Sequence, residues 1–264
     1  MKDMRELKYF VGIEFARSNQ GITMHQIKYA LELISEVGLA ATKPAITPID
    51  VNIKLISKKY DDFIGKAECS EEEDRLVDQA SYQRLIGKLL YLIVTRLDIA
   101  FGVQTLSQFL QQPKRSHMKI ALRIVKYVKS QPGQGIVLSS THNNTITAFC
   151  DADWAACPLT RKSVAGFLVK VGDSLISWKS KKQTTVSQSS AEAEYRSLAT
   201  TVAELIWLYG LLTEVDTKIQ LPINIYSVNK TAIQIAANLV YHERIKHIEI
   251  DCSIWNSKYM ASGL

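Results

Sequence analysis

The sequence lacks the features that mark membrane-spanning and secreted proteins. No apolar run reaches about 18 residues without a charge, which is the minimum for a membrane-spanning helix. The N-terminus, MKDMRELKYF, has no apolar stretch of the kind found in secretory signal peptides. These two absences predict an intracellular protein that has no membrane partner.

Cysteine is scarce and scattered. The four cysteines, which include no Cys-x-x-Cys pair, are Cys69, Cys150, Cys157 and Cys252. Structural zinc sites are usually built from such pairs, and disulfide-rich scaffolds from closely spaced cysteines. The pattern therefore argues against structural zinc and disulfides, and it favours a reduced compartment.

The chain does have the composition of a folded globular protein, with 47% apolar residues. Its net charge of +6 is unevenly distributed. Residues 1–80 carry 11 Lys/Arg and 14 Asp/Glu, residues 81–135 carry 9 and 1, and residues 136–264 carry 12 and 11. The positive excess lies in the middle, where it indicates either a polyanionic partner or a solvated helix face.

Local patterns divide the first half of the chain into three parts. Residues 1–40 predict a hairpin, LKYFVGIEF and ITMHQ around the turn SNQG, followed by a helix that ends at Gly38. Residues 41–78 combine prolines with the acidic run SEEED and predict a linker with little structure. Residues 79–132 predict three helices, the first with Ser81 as its cap, and QPGQG at 131–135 predicts a domain boundary.

The last of these helices, SHMKIALRIVKYVKS, carries cations beside an apolar face. Such a basic stripe suits the phosphates of a nucleic acid. The candidate nucleic-acid contacts are Lys114, Arg115, Lys119, Arg123, Lys126 and Lys129.

Residues 136–264 predict an α/β fold with a mixed sheet. TITAFCDAD, SVAGFLVKV and SLISWKSK predict three antiparallel strands, and the turn Gly172-Asp173 joins the last two. A long helix begins in SSAEAEY, INIYSV predicts a fourth strand, and NKTAIQIAAN and HERIKHIEIDCSIWNSKYM predict further helices. Strands on both sides of a crossover helix are typical of a mixed α/β sheet.

Three acids form the candidate site. Asp151 and Asp153 lie on one face at the end of the first of these strands, where paired carboxylates suit a divalent cation or simply begin a polar loop. In the long helix, Ser189 and Glu192 match a capping box, which assigns Glu192 to the helix N-terminus. Glu194 borders the apolar stripe, where it can either meet Asp151 or extend to water.

These segments together resemble the C-terminal part of the Pol polyprotein of copia-type long-terminal-repeat retrotransposons. CDADWA, SWKSKKQTTVSQSSAEAEY and HERIKHIEID are similar to the family's ribonuclease H domain. SYQRLIGKLLYLIVTRLDIAFGVQTLSQFLQQP and ELKYFVGIEFARSNQGITMHQIKYALELI are similar to the end of its reverse transcriptase and the connection that follows. The resemblance covers nearly the whole chain.

The resemblance implies a ribonuclease H-like fold and cleavage of the RNA strand of RNA–DNA hybrids. Four carboxylates of the family hold two Mg²⁺ ions, which activate water and stabilise the leaving oxygen. By the match, Asp151 and Glu194 are catalytic residues and metal ligands, and Asp153 is an accessory ligand. The implied partners are the hybrid and the remainder of the polyprotein, in a cytoplasmic particle or the nucleus.

The sequence also departs from the family. Tyr226-Ser227-Val228 stands where the resemblance implies Tyr-Ser-Asp, so the third carboxylate is lost. The fourth carboxylate and the fifth strand are expected beyond Leu264, which would leave Ile223 and Ile225 on an exposed apolar edge. No Tyr-x-Asp-Asp occurs, so no polymerase activity is expected.

Other groups are poor substitutes for the lost acid. Glu249 and Asp251 are two apart in a predicted helix, so at most one can face the site, and His242 and His247 also diverge. Asn229 could supply an amide oxygen but no charge. Two interpretations therefore stay open: a hybrid-binding domain with impaired catalysis, or an active Mg²⁺-dependent ribonuclease H.

Overall fold

The computed structural model describes residues 6–50, 53, 55–58, 76–141, 143–237 and 260–262. The chain forms two compact units, Met1–Val137 and Leu138–Leu264. This division lies two residues after the QPGQG sequence. The finer division of the first unit into a reverse transcriptase end, a linker and a connection segment stays a prediction.

The first unit begins with short antiparallel strands, β1 (Tyr9–Phe10), β2 (Ile13–Ser18) and β3 (Gly21–His25). The prediction of one continuous strand over residues 7–15 was wrong. Val11 and Gly12 have φ values of 46° and 78°, and two successive positive φ values reverse the chain in a tight hairpin turn. A fourth strand of this sheet, β4 (Ile136–Ser139), starts at the end of the unit.

The described residues of the first unit then form four helices: α1 (Ile27–Glu36), α2 (Gln79–Leu92), α3 (Ala100–Leu106) and α4 (Arg115–Ser130). Short 3₁₀ turns, Leu97–Ile99 and Ser107–Phe109, flank α3. The cap of α2 is Asp78, whose carboxylate accepts the Ser81 N–H at 2.8 Å, so the prediction of Ser81 as the cap was wrong. The helices bury one apolar core, which includes Leu33, Ile86, Leu89, Val103, Ile120, Ile124 and Val128.

The described part of the predicted linker is irregular but is packed on these helices. The Ala45 N–H donates to the Lys126 carbonyl, and Ile49 packs so close to Gly102 that a Cβ there would lie 2.8 Å from it. Residues 41–50 are therefore an ordered covering of the helical core.

The second unit contains the sheet that was predicted for residues 136–264. Its strands are β5 (Thr145–Asp153), β6 (Val164–Val171), β7 (Ser174–Lys182), β8 (Gln220–Ser227) and β9 (Met260–Ser262). The strand order is β7-β6-β5-β8-β9, antiparallel from β7 to β5 and parallel from β5 to β9. This mixed α/β sheet is compatible with a ribonuclease H-like fold.

Among the described residues, two helices accompany this sheet, α5 (Ser190–Glu214) and α6 (Lys230–Ala237). One face of α5 buries Leu198, Val202 and Leu205 in a core shared with Ile146 and Ala148 of β5. No helix of the described residues is long and apolar enough to cross a membrane.

The prediction that the fifth strand is missing was wrong. Ile223, Asn224 and Ile225 pair with residues 260–262 of β9, and Ile223 is fully buried. The pairing satisfies backbone groups that an open edge would expose. Met260, predicted to end a helix, is instead the first residue of this strand, and residues 242–259 of that predicted helix lie outside the described residues.

A candidate carboxylate site at the end of β5

The end of β5 presents two carboxylates on one face, as the alternating pattern predicts. Ile146, Ala148 and Cys150 are buried, whereas Asp151 and Asp153 are exposed. Successive side chains of a strand point to opposite faces, so the apolar set faces the core and the acidic set faces outward.

The first turn of α5 gives its two glutamates different tasks. Ser189 Oγ accepts the Glu192 N–H, while the Glu192 carboxylate accepts the Gln188 N–H at 2.8 Å and pairs with Arg196 at 2.7 Å. Glu192 is thus a capping residue, as its spacing predicts. Glu194 is instead buried, with 5% of its surface exposed.

The structure brings Glu194 and Asp151 together. Burial raises the pKa of Glu194 to about 7, with further contributions from the hydrogen bond to Asp151 and from its negative charge. The Ala152 N–H opposes the increase by donating to the Glu194 carboxylate. The buried Glu194 Oε2 has no hydrogen-bond partner among the described residues. Glu194 therefore keeps its proton at pH values where an exposed glutamate has lost it.

Ser197, one turn after Glu194, fixes the position of the strand end. Its hydroxyl lies 2.9 Å from the Asp151 carbonyl and 3.2 Å from the Gly166 carbonyl of β6. The sequence analysis missed this residue, although a serine between Glu194 and Leu198 on a buried helix face was a signal for it. A single O–H donor that reaches two strands holds α5 against the site.

The neighbouring thiol is not a reactive group. Burial, with the charge of Glu194 as a second cause, raises the pKa of Cys150 to about 12. Its Sγ lies 3.6 Å from the Tyr226 carbonyl. Because the thiolate is the nucleophilic form, Cys150 contributes packing rather than chemistry.

Val228 is the first residue after β8. β5 and β8 are parallel, with Phe149 opposite Tyr226 and Cys150 opposite Ser227, so Asp151 and Val228 each follow the last paired position of these two strands. Val228 is 83% exposed. Asn229 is not a substitute ligand, because its side-chain oxygen accepts the Ala232 N–H at 3.0 Å and caps α6.

These residues fit a divalent cation in part. Asp151 and Glu194 offer hard oxygen ligands, including the unpartnered Oε2, which is the donor chemistry that Mg²⁺ prefers. Within the described ranges, however, no three His, Cys, Asp or Glu side chains come together, so Asp153 does not complete a ligand set. A two-ion arrangement does not fit the described residues. Glu249, Asp251, His242 and His247 lie outside them.

In the first unit, several predicted nucleic-acid contacts have structural partners. Lys114 is buried, Arg123 donates to the carbonyl and hydroxyl oxygens of Thr47, and Lys129 donates to three backbone carbonyls that follow α1. Arg115 and Lys119 are exposed, and Lys126 is half-buried. The exposed part of the basic stripe is therefore shorter than predicted, and its role in binding stays a prediction.

Comparison with known proteins gives several relatives of the same kind. All 264 residues align at 38% identity with the retrovirus-related Pol polyprotein from transposon RE1 of Arabidopsis thaliana, and at 36% with that from transposon RE2. Over 253 residues, 95% of the chain, the identity to the retrovirus-related Pol polyprotein from transposon TNT 1-94 of Nicotiana tabacum is 30%.

The chain spans 17% of the length of the first two relatives and 18% of the third. No family model matches the chain. No solved structure matches it.

Proposed function

Because the chain belongs to the family of retrovirus-related Pol polyproteins from transposons, we propose that its second unit is a copia-type ribonuclease H-like domain. In this proposal the domain binds RNA–DNA hybrids as one region of a larger polyprotein, and it cleaves them poorly or not at all. The observation that carries the proposal is the contact between Asp151 and Glu194, with Val228 as the first residue after β8.

The carboxylate pair supports the assignment of this unit to a domain that binds RNA–DNA hybrids. Hydrolysis of a phosphodiester by a metal-dependent nuclease requires acids that converge where the strand passes. Asp151 and Glu194 converge from a strand end and a helix start, two elements far apart in sequence. Their contact leaves one carboxylate oxygen, Glu194 Oε2, without a hydrogen-bond partner among the described residues.

The charge at the site supports impaired catalysis. Two divalent ions bring four positive charges, whereas the pair supplies at most two negative charges. Val228 contributes none, where the resemblance implies an aspartate. We therefore expect weak metal binding and little cleavage.

The alternative function is an active Mg²⁺-dependent ribonuclease H that degrades the RNA strand during reverse transcription. The unpartnered Glu194 Oε2 favours it, since a buried carboxylate oxygen without a hydrogen bond is costly unless a cation or water satisfies it. A metal ion bound to the pair would also favour the deprotonated form of Glu194.

A cleavage assay separates the two functions. The full chain is incubated with an RNA–DNA hybrid labelled on the RNA strand, in Mg²⁺ or Mn²⁺, beside Glu194→Gln and Val228→Asp. We expect all three proteins to leave the hybrid uncut, because even three carboxylates are fewer than the four that the resemblance implies. Metal-dependent cleavage that Glu194→Gln abolishes would establish the alternative.

Binding is measured on the same hybrid by a mobility-shift titration at several salt concentrations. We expect weak binding that decreases steeply as salt increases, since phosphate contacts release counterions. Absence of any binding at low salt would refute the proposed function.

A further inference from the structure

A cavity separate from the carboxylate pair lies in the second unit between α5 and the edge strand β7. Its volume is about 580 Å³, within the range of about 300–1,000 Å³ that is common for ligand sites. Its described lining residues belong to β6, β7, the loop that follows β7, and α5. We call it the β7 groove.

Small side chains create the groove. Ala199 and Ala203, one turn apart on α5, face Ala165 and Phe167 of β6 across it. The short alanine side chains leave the space between the helix and the sheet unfilled. The floor is therefore apolar and open, next to a helix face that elsewhere buries leucine and valine.

The rim of the groove is basic. Lys179 and Lys181 are opposite Phe167 and Ala165 in the β6–β7 register, so both point to the face that carries α5, and both are exposed. They lie two residues apart, about 6.6 Å along the strand. Four of the described lining residues are Lys or Arg, and none is Asp or Glu.

The nearby acids are already engaged. Glu192 pairs with Arg196 at 2.7 Å, and Glu204 accepts a hydrogen bond of 2.7 Å from Ser177. Neither lines the groove. The lysine pair at 179 and 181 therefore dominates the local charge.

One end of the groove adjoins the residues that position the carboxylates. Ser197 lines it and also contacts the Asp151 carbonyl, and Gln183 lines it and donates to the Ala193 carbonyl at 2.8 Å. A ligand that enters the groove lies next to the helix turn that holds Glu194.

We propose that the β7 groove binds the phosphodiester backbone of a nucleic-acid strand. Lys179 and Lys181 contact phosphates, and the sugar or base packs on the alanines and Phe167. This inference rests on the proposed function, because it names where that unit holds its nucleic acid. An acidic peptide could also pair its carboxylates with the two lysines. Those carboxylates would not pack on the apolar floor as a sugar or base does.

The test uses the full chain and a fluorescent single-stranded oligonucleotide, with anisotropy measured over a range of salt. Lys179→Gln with Lys181→Gln removes two cations from the groove. The matched control, Lys170→Gln with Lys218→Gln, removes two cations from the same unit outside the groove. Each phosphate contact of a single strand contributes about 0.7 to the slope of log K against log salt. Because the groove variant loses two such contacts, we expect its slope to decrease in magnitude by about 1.4, and we expect the control to leave the slope unchanged.

A second variant, Ala199→Leu, fills the floor without changing charge. We expect this variant to bind the oligonucleotide more weakly. Its thermal unfolding is compared with that of the unaltered chain, so that weaker binding can be separated from loss of fold. Acetylation of lysines, mapped by mass spectrometry, is expected to decrease at Lys179 and Lys181 when the oligonucleotide is bound.

The outcomes distinguish the two proposals. If the unaltered chain binds nucleic acid and the groove variant binds with the same slope, the groove assignment is wrong and the proposed function stands. If the unaltered chain binds neither this oligonucleotide nor the RNA–DNA hybrid, both fail. If it binds the hybrid but not the oligonucleotide, only the groove assignment fails. If poly-glutamate competes as well as an oligonucleotide of equal charge, the site is a general anion site and the inference is overturned.

Discussion

Replacing Glu194 by glutamine tests the carboxylate pair through stability rather than through activity. Glutamine has nearly the same shape and can still bond to Asp151, but it cannot ionise. The substitution therefore removes one titration from the second unit and leaves the packing of α5 nearly unchanged.

The expected magnitude follows from the pKa of Glu194. Its folded-state pKa is about 7, raised from 4.5 by burial and by Asp151. The folded protein therefore holds a proton that the unfolded chain releases between these values. Stability from this group is fully present below pH 4.5 and is lost as pH rises through 7. A difference of this size corresponds to about 3 kcal/mol of unfolding free energy.

Urea unfolding followed by tryptophan fluorescence measures this effect. All four tryptophans (Trp154, Trp178, Trp207 and Trp255) are in the second unit, so the signal reports on that unit. The free energy of unfolding of Glu194→Gln, relative to the unaltered chain, is expected to increase by about 2.5 kcal/mol between pH 5 and pH 8, because part of the full effect lies below pH 5.

Glu214→Gln is the matched control, since it alters an exposed acid at the end of the same helix. It should leave the difference from the unaltered chain constant over this range. Parallel pH profiles for Glu194→Gln and the unaltered chain would refute the reasoning, because they would mean that Glu194 is ionised in the folded protein at pH 5.

Three further predictions concern other residues. At pH 8, iodoacetamide should label Cys157 before Cys150 in peptide maps. Burial of Cys157 is outweighed by hydrogen bonds and a nearby lysine, which lower the pKa of its thiol, whereas burial raises the pKa of Cys150. Equal labelling rates would contradict this prediction. Arg96→Met should destabilise the first unit by about 3 kcal/mol, because it removes a buried guanidinium that bonds to Asp98 and to the Gln131 carbonyl. Thermal unfolding followed by circular dichroism measures the effect, and an unchanged midpoint would contradict the prediction. Lys129→Gln should lower stability with little effect on hybrid affinity, because the Lys129 ammonium donates to backbone carbonyls. Lys119→Gln, at an exposed position, should weaken hybrid binding, and mobility shifts that respond equally to both variants would remove the distinction.

Local patterns predicted much of the sheet of the second unit and the placement of two acids of the candidate site. Strict alternation in β5 predicted the outward face of Asp151, and the helical period of α5 separated Glu194 from Glu192. Both patterns depend only on the spacing of residues within one element, so they can be read from the sequence without knowing the tertiary contacts. The same is true of the position of Val228, which follows directly from the end of a strand.

Features that depend on distant partners were missed. Lys129 lies on a polar helix face by its period, yet it donates to carbonyls 87 to 90 residues away in sequence. β9 has three residues and no periodicity of its own, so its pairing with β8 is visible only in the tertiary structure. The β7 groove was missed because its alanines and its lysines lie on different elements, and only the tertiary structure shows that these elements face each other.

The pairing of β8 with β9 has a consequence for how the protein is made. Ile223 pairs with Met260, 37 positions later in the chain. During synthesis β8 can join β5 as soon as it is complete, while its other edge stays open until those later residues have been added. Contacts so far apart in sequence form slowly, because a long loop must close first. The newly made chain therefore passes through a period in which an apolar strand edge is available to other chains, and low expression temperature or a chaperone should improve its yield.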